Sequence, residues 1–457
     1  MTKKDILSRI NWKLFIRHPI AKAFFDTKDR DEFAKDLDLY AKGDENFQGI
    51  INQKGLSNVE IRNIIDRIIA VTSRRRFMKA AAAFAVTTAM RVNTGDSTIA
   101  NPEIISNQNY KGKLPVKGIG YDVGTRYAPD FVTNKDISYE LVKKNLYEIK
   151  NGLKCNAVRI YGEDISKLIE CSKIALGYGL QVWFSPRLID GTKEATLRYI
   201  RDNALEAEKL RRLNSNIVFV IANELTLDMK GFVAGNTYID RGKNLGTNAI
   251  NKIKSFLRFH SYQDDLNIFL KEALKTVREY FKGYITYAAG FWEEVDWKIF
   301  DIIGYNYYMN NYNKRSYVSD LRGFKKFNKP IAILEFGCGS YKEAYDKGGS
   351  SYDIINWTAK PLPELKGNNY KKDENLQAKY IFDLLNIFVR EGIYATFIHT
   401  FIETHYWADD KEPNHDLDTA SFNVIKVYPP WHEKAYIKGH IIPKKSFYAI
   451  AEFYTAH

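Results

Sequence analysis

Two glutamates stand where apolar runs end. Asn216-Ile-Val-Phe-Val-Ile-Ala-Asn-Glu224 closes on an Asn–Glu pair, and Pro330-Ile-Ala-Ile-Leu-Glu335-Phe-Gly repeats the shape. Each run has the unbroken apolarity of a strand buried on both faces. A carboxylate at the carboxyl end of such a strand lies where parallel α/β barrels put their chemistry. Two carboxylates opposed across a cleft can break a glycosidic bond. One, protonated, helps the leaving oxygen depart; the other, ionised, attacks the sugar carbon or activates water. Burial and like charge raise one pKa while hydrogen bonds hold the other group ionised. The bland alternatives are a helix-capping Glu224 and a Glu335 that only pairs with Arg159.

Holding both acids on one rim requires parallel strands. Eight apolar segments qualify: Val116 to Gly124, Cys155 to Gly162, Gln181 to Arg187, Asn216 to Glu224, Tyr284 to Gly290, Asp301 to Tyr308, Pro330 to Gly337 and Tyr394 to Phe401. Amphipathic segments lie between them, such as Asp136 to Leu153, Ile165 to Leu176, Glu194 to Leu213, Asp264 to Phe281 and Glu374 to Glu391. Parallel neighbours need crossover connections, so this alternation predicts an α/β protein, a (β/α)8 TIM barrel over 116–457. An open doubly wound sheet would carry a Gly-rich phosphate loop after the first strand. Gly118-Ile-Gly120-Tyr-Asp does not complete one, and there is no Walker loop. No nucleotide cofactor is expected.

The strand ends then share one pocket. They supply Tyr121, Asp122, Arg159, Tyr161, Arg187, Asn223, Glu224, Asn306, Tyr308 and Glu335, with Trp292, Glu293 and Glu294 after the fifth strand and His399, Glu403, His405 and Trp407 after the eighth. No nucleophilic serine elbow is present, and His405, His415 and Asp416 do not make a metal set, so no metal is expected. Glu293, Glu294 and Glu403 are loop acids that could bind substrate hydroxyls but read better as solvated surface, and His399 reads as a satisfied core histidine.

These residues resemble the clan A glycoside hydrolases, (β/α)8 barrels of the retaining type. The resemblance covers roughly 116–457. It implies that Glu224, in Asn223-Glu224, is the acid/base and that Glu335, in Glu335-Phe336-Gly337, is the nucleophile. Asp301-Ile-Ile-Gly-Tyr-Asn-Tyr-Tyr308 is similar to the sixth-strand run of β-glucosidase-like members, which implies that Tyr308 hydrogen-bonds the nucleophile. Arg159 resembles the arginine that steadies it. Asn223, Asn306, Trp292 and Trp407 complete the implied substrate-binding set, Trp407 as a sugar platform that comes late in the chain. The runs Glu335-Phe-Gly-Cys-Gly-Ser-Tyr-Lys-Glu-Ala344 and His415-Asp-Leu-Asp-Thr-Ala-Ser-Phe422 look like a bacterial group labelled abortive infection protein. The expected function is hydrolysis of an O-glycosidic bond in a carbohydrate, with retention. The alternative is a non-catalytic barrel binding glycan or protein, in phage resistance or at the cell envelope.

The rest of the chain bounds this reading. A formal net charge of +13 would suit an anionic partner. Its basic residues are interspersed with acids, however, and no RNA-recognition motif or finger spacing occurs, so no nucleic acid is expected. Three cysteines at irregular spacing exclude a disulfide framework. No apolar run is long enough for a stable membrane span. Residues 1–72 read as a helical segment, with a capping box at Ser57-Asn-Val-Glu60 and an apolar face of Ile61, Ile64, Ile65, Ile68 and Ile69. Residues 73–115 join Ser73-Arg-Arg-Arg-Phe-Met-Lys79, an Ala-rich stretch and a polar linker. This resembles a twin-arginine export signal, but far from the first residue. Either a long leader precedes it, or translation starts nearer Ser73, or a basic helix end runs into an Ala-rich helix. With export the protein sits outside the membrane or at the envelope; otherwise it is cytoplasmic.

Overall fold

A computed structural model describes residues 110–246, 249–367 and 370–457, with the backbone alone for 246 and 249–261. The expectations for 1–72 and for 73–109 lie outside the described residues. One compact unit, Pro102–Gly242 with Tyr262–His457, holds the barrel.

Its strands are β1 (Val116–Asp122), β2 (Ala157–Gly162), β3 (Gln181–Pro186), β4 (Ile217–Asn223), β5 (Tyr284–Ala288), β6 (Ile303–Asn306), β7 (Ile331–Phe336) and β8 (Ala395–Ile398). All pair in parallel, in the order β5-β4-β3-β2-β1-β8-β7-β6. A bridge between Ala289 and Tyr305 closes the ring between β5 and β6. The fold class is therefore the (β/α)8 barrel that the alternation of segments predicts. The interior is packed: Trp183 and Phe397 meet with ring centroids 4.8 Å apart, among small residues such as Ala157, Ala288, Ala332 and Ala395. Gly118 makes room for the pair, since a Cβ there would lie 2.4 Å from the Phe397 ring.

The outer helices are α1 (Tyr139–Tyr147), α2 (Ile165–Gly177), α3 (Lys193–Leu213), α4 (Ala249–Tyr280), α5 (Tyr317–Phe324), α6 (Glu374–Glu391) and α7 (Lys445–Ala456). Side chains of Ser138, Asp164, Thr192 and Asp373 accept from free amides at the starts of α1, α2, α3 and α6. Gly392, at φ 72°, ends α6 in the left-handed conformation that glycine tolerates best. Between β5 and β6 the expected strand–helix unit is missing its helix. A single 3-10 turn, Trp297–Ile299, lies in that short connection, whose apolar residues Trp297 and Phe300 are buried.

The ladder is regular at the bottom of the barrel and irregular at the top. Register shifts fall between Val220 and Asn223 on β4, between Tyr305 and Asn306 where β6 meets β7, and between Thr396 and Ile398 on β8. Such irregularities break side-chain alternation and re-aim the side chains at the strand ends. On β7, Leu334 belongs to the interior core while Phe336 packs edge-on against Phe388 of α6. Glu335 is thereby left at the interior mouth. The loops after β7 and β8 are tied together by Lys444, which is fully buried and donates to Ser340, Asp418 and Ser421. All three cysteines are free and buried. Among the described residues, no helix is long and apolar enough to cross a membrane and no cluster of three metal-ligand side chains occurs.

Candidate active site

Glu335 is 8% exposed at the end of β7. Arg159, from β2, donates from Nη1 to Glu335 Oε1 at 2.9 Å, and Tyr308 donates its hydroxyl to Oε2 at 3.0 Å. Burial alone would raise this carboxyl. It is nevertheless held below the usual carboxylate range by His399, where that ring is protonated, and by Arg159 and Arg187. Burial lowers the His399 pKa, so the two arginines are the standing charges. His399 is half-buried beside Glu335 with Nδ1 unpartnered, unlike the satisfied core histidine expected.

Glu224 stands one residue past β4, in a left-handed conformation at φ 38° and ψ 53°. A non-glycine residue there is strained by about 1 kcal/mol or more and stays only where its surroundings fix it. Here they do. The Glu224 amide donates to Ala288 O at 2.8 Å, and the Leu225 amide donates to Tyr287 Oη at 2.7 Å. Tyr287 in turn donates to Glu293 Oε2 at 2.7 Å. Glu293 also accepts from Thr226 N, Thr226 Oγ1 and Gly290 N. It is buried, and the loop acid expected at the surface is instead the brace of this turn. Trp292 joins the brace, donating from Nε1 to Thr226 Oγ1 at 2.8 Å. Burial, and then the charge of Glu335, push the Glu224 carboxyl up to about 8.

Two amides connect the acids. Asn306 Nδ2 donates to Glu224 Oε1 at 3.0 Å and to Asn223 Oδ1 at 3.1 Å, and Asn223 Oδ1 also accepts from Arg159 Nη2 at 2.7 Å. The path Glu224–Asn306–Asn223–Arg159–Glu335 is thus hydrogen-bonded throughout. Both amides are 1% exposed. Asn223 Nδ2 and Asn306 Oδ1 are buried without partners, a donor and an acceptor left unmet beside the acid pair.

Arg187, past β3, grips Asp228 through Nε at 2.9 Å and Nη2 at 3.1 Å and donates from Nη1 to Tyr127. Asp122, at the end of β1, accepts from Gly124 N, Thr125 Oγ1 and Thr133 Oγ1. Glu403, past β8, is half-buried rather than on the solvated surface, and burial, then the charges of Asp122 and Glu335, push it up to about 8. Trp407 makes its ring contact with Trp431, centroids 5.2 Å apart, and forms a bridge to Val427. The site also takes in Asp228, Tyr238 and Tyr352, which no motif marks. Tyr238 and Tyr352 both feel the Glu224 charge. Asp228 follows Glu224 at i+4, the spacing of one helical turn, which is the one signal that could have found it.

An eight-strand parallel barrel with two neighbouring carboxylates at its carboxyl mouth defines the class of this protein. No family model matches the chain, and no curated protein matches it in sequence. Solved structures do. A GH113 β-1,4-mannanase is 15% identical, with 75% of this chain and 100% of that one covered and a TM-score of 0.47. A GH113 β-mannanase from Alicyclobacillus acidocaldarius is 12% identical, covers 76% and 99%, and has a TM-score of 0.46. A GH5-4 broad-specificity endoglucanase from Clostridium longisporum is 12% identical, covers 74% and 96%, and has a TM-score of 0.43. The barrel itself is read from its own strand order and register.

Proposed function

We propose that the protein is a retaining glycosidase that cleaves an O-glycosidic bond of a carbohydrate. The observation that carries this reading is the opposite bias of two neighbouring carboxyls: Glu224 is pushed up to about 8, while Glu335 is held down by cations and a tyrosine hydroxyl. Those are the states a glycosidase needs before reaction. Glu335 attacks the anomeric carbon, the bond to the leaving oxygen breaks, and the Glu224 proton passes to that oxygen. Glu335 is then an ester without charge. The like charge that raised Glu224 is gone, so its acidity rises and it can serve as a base. It takes a proton from water, the water oxygen attacks the anomeric carbon, and Glu335 leaves as carboxylate. Asn223 Nδ2, buried and unpartnered, supplies a donor for a sugar hydroxyl.

An aryl-glycoside panel with wild type, Glu335→Gln and Glu224→Gln tests the reading. Glu335→Gln should abolish turnover. Glu224→Gln should mainly slow deglycosylation when the leaving group is activated, since acid assistance then matters little. The first-formed sugar should keep the anomeric configuration of the substrate by NMR. Equal turnover in all three proteins removes the proposal.

A further inference from the structure

Beside the acid, the rim carries a corner of two crossed rings. β5 ends at Ala288, and the chain then turns, with the Glu293 amide donating to Gly290 O at 3.0 Å. Phe291 and Trp292 occupy the middle of that turn. Their rings meet at 82° with centroids 5.0 Å apart. The Trp292 ring folds back over Gly290, where a Cβ would lie 2.6 Å from it. Its Nε1 donates at 2.8 Å to the hydroxyl of Thr226, two residues past Glu224. Phe291 is 59% exposed, and no described ring other than Trp292 touches it.

A single exposed apolar side chain is ordinary. This one stands on a fixed backbone. Tyr305 Oη donates to Phe291 O at 3.1 Å, and Gln263 Nε2 donates to Trp292 O at 2.8 Å. The next residue, Glu293, is pinned by its four donors. Rings already held in place lose little freedom when a flat apolar face covers them. Neither ring carries a charge, and the one donor of Trp292 is spent on Thr226. The corner therefore selects by shape and apolar surface.

Its position decides what it meets. The corner is bonded to the turn that carries Glu224. In the ring, β5 adjoins β4, and β7 with Glu335 lies two strands further on. The sugar that becomes attached to Glu335 stays over the nucleophile, while the group that takes the Glu224 proton departs past the acid. The two rings thus border the leaving group and not the retained sugar.

We infer that Phe291 and Trp292 form an aglycone subsite for a leaving group with a flat ring face, either the C–H face of a second sugar or an aryl ring, in preference to a small alkyl group. This rests on the reading of the site as a glycosidase and adds to it the class of leaving group. Gly290 is a positioning residue, because only a residue without a Cβ lets the Trp292 ring lie where it does.

The test is binding, so that it does not depend on turnover. Calorimetry uses 1-thioglycosides, which resist hydrolysis. The set comprises phenyl and methyl members for glucose, mannose, galactose and N-acetylglucosamine in both anomeric forms, with the S-linked disaccharides of the same sugars. The readout is the ratio of phenyl to methyl affinity, since a damaged fold weakens both members alike. Wild type should favour phenyl roughly five- to tenfold for the sugar it binds. Phe291→Ala and Trp292→Ala should each bring that ratio below about twofold. Trp292→Phe keeps a ring and loses the bond to Thr226, so it should retain most of the preference. A disaccharide that binds better than its methyl glycoside, and loses the advantage in the same variants, marks a sugar leaving group; a preference confined to the phenyl members marks an aryl one. A wild-type ratio below about twofold, a ratio unchanged in both Ala variants, or no binding by any member overturns the inference. A failure of Glu335→Gln to affect turnover would sink the catalytic reading instead, and leaves the measured ratios standing.

Discussion

At the scale of single residues, the pair is set by what each acid touches. Glu335 has a guanidinium and a phenol on its two oxygens; Glu224 has one amide donor and the charge of its partner. For a substrate with a poor leaving group, kcat/KM requires Glu335 ionised and Glu224 protonated. Activity should therefore hold through neutrality and fall about tenfold per pH unit above roughly 8, which a pH profile on a native disaccharide or alkyl glycoside reads directly. Asn306 favours the ionised form of Glu224 by donating to it. Asn306→Ala should then move the alkaline limb upward while leaving the acid limb in place. Arg159 acts on the other limb. Arg159→Met removes the countercharge of Glu335 and leaves that carboxyl buried, so its pKa rises. The acid limb should shift towards neutrality, and kcat/KM at pH 6 should drop by about 100-fold or more. A Met variant with an unshifted acid limb would deny Arg159 its role.

At the scale of elements, the chemistry depends on how strands end. The turn that carries Glu224 is held from β5 and its following loop, through Tyr287 and the four donors around Glu293. Glu293→Gln places an amide N–H among donors and cannot keep all four bonds. The strained turn should loosen, with kcat falling about tenfold while KM changes little, and with a lowered Tm. If kcat is intact while Tm falls, Glu293 holds the fold and not the acid. The same dependence on strand ends explains which residues were legible in the sequence. Glu224, Glu335, Arg159 and Asn306 are readable because a buried strand is an apolar run, and a polar residue within it or at its end stands out. Glu293, Glu403, Asp228, Tyr238 and Tyr352 lie in loops, where distance along the chain says little about position in space. For that reason Glu293 and Glu403 look like surface acids until the loops are folded over them.

At the scale of the whole molecule, the acid cluster weakens the fold that holds it. Glu224 and Glu403 are both pushed up to about 8 and Glu293 to about 7, burial being the largest cause in each. In the unfolded chain a glutamate titrates near about 4.3. Between those values the folded barrel binds more protons than the unfolded chain, so the stability of the fold falls as pH rises. The contribution of these raised groups is fully present below about pH 4 and is lost on passing through pH 7 to 8. Amide replacements should therefore stabilise the protein where they silence it. Glu224→Gln and Glu403→Gln should each raise Tm at pH 8 by roughly 1–3 °C, with the gain shrinking towards zero at pH 5, where the wild-type acids already hold their protons. Scanning calorimetry at the two pH values gives the sign. Equal gains at pH 5 and pH 8 would mean that the substitutions act through packing, and that the acids carry no strain of charge in the resting barrel.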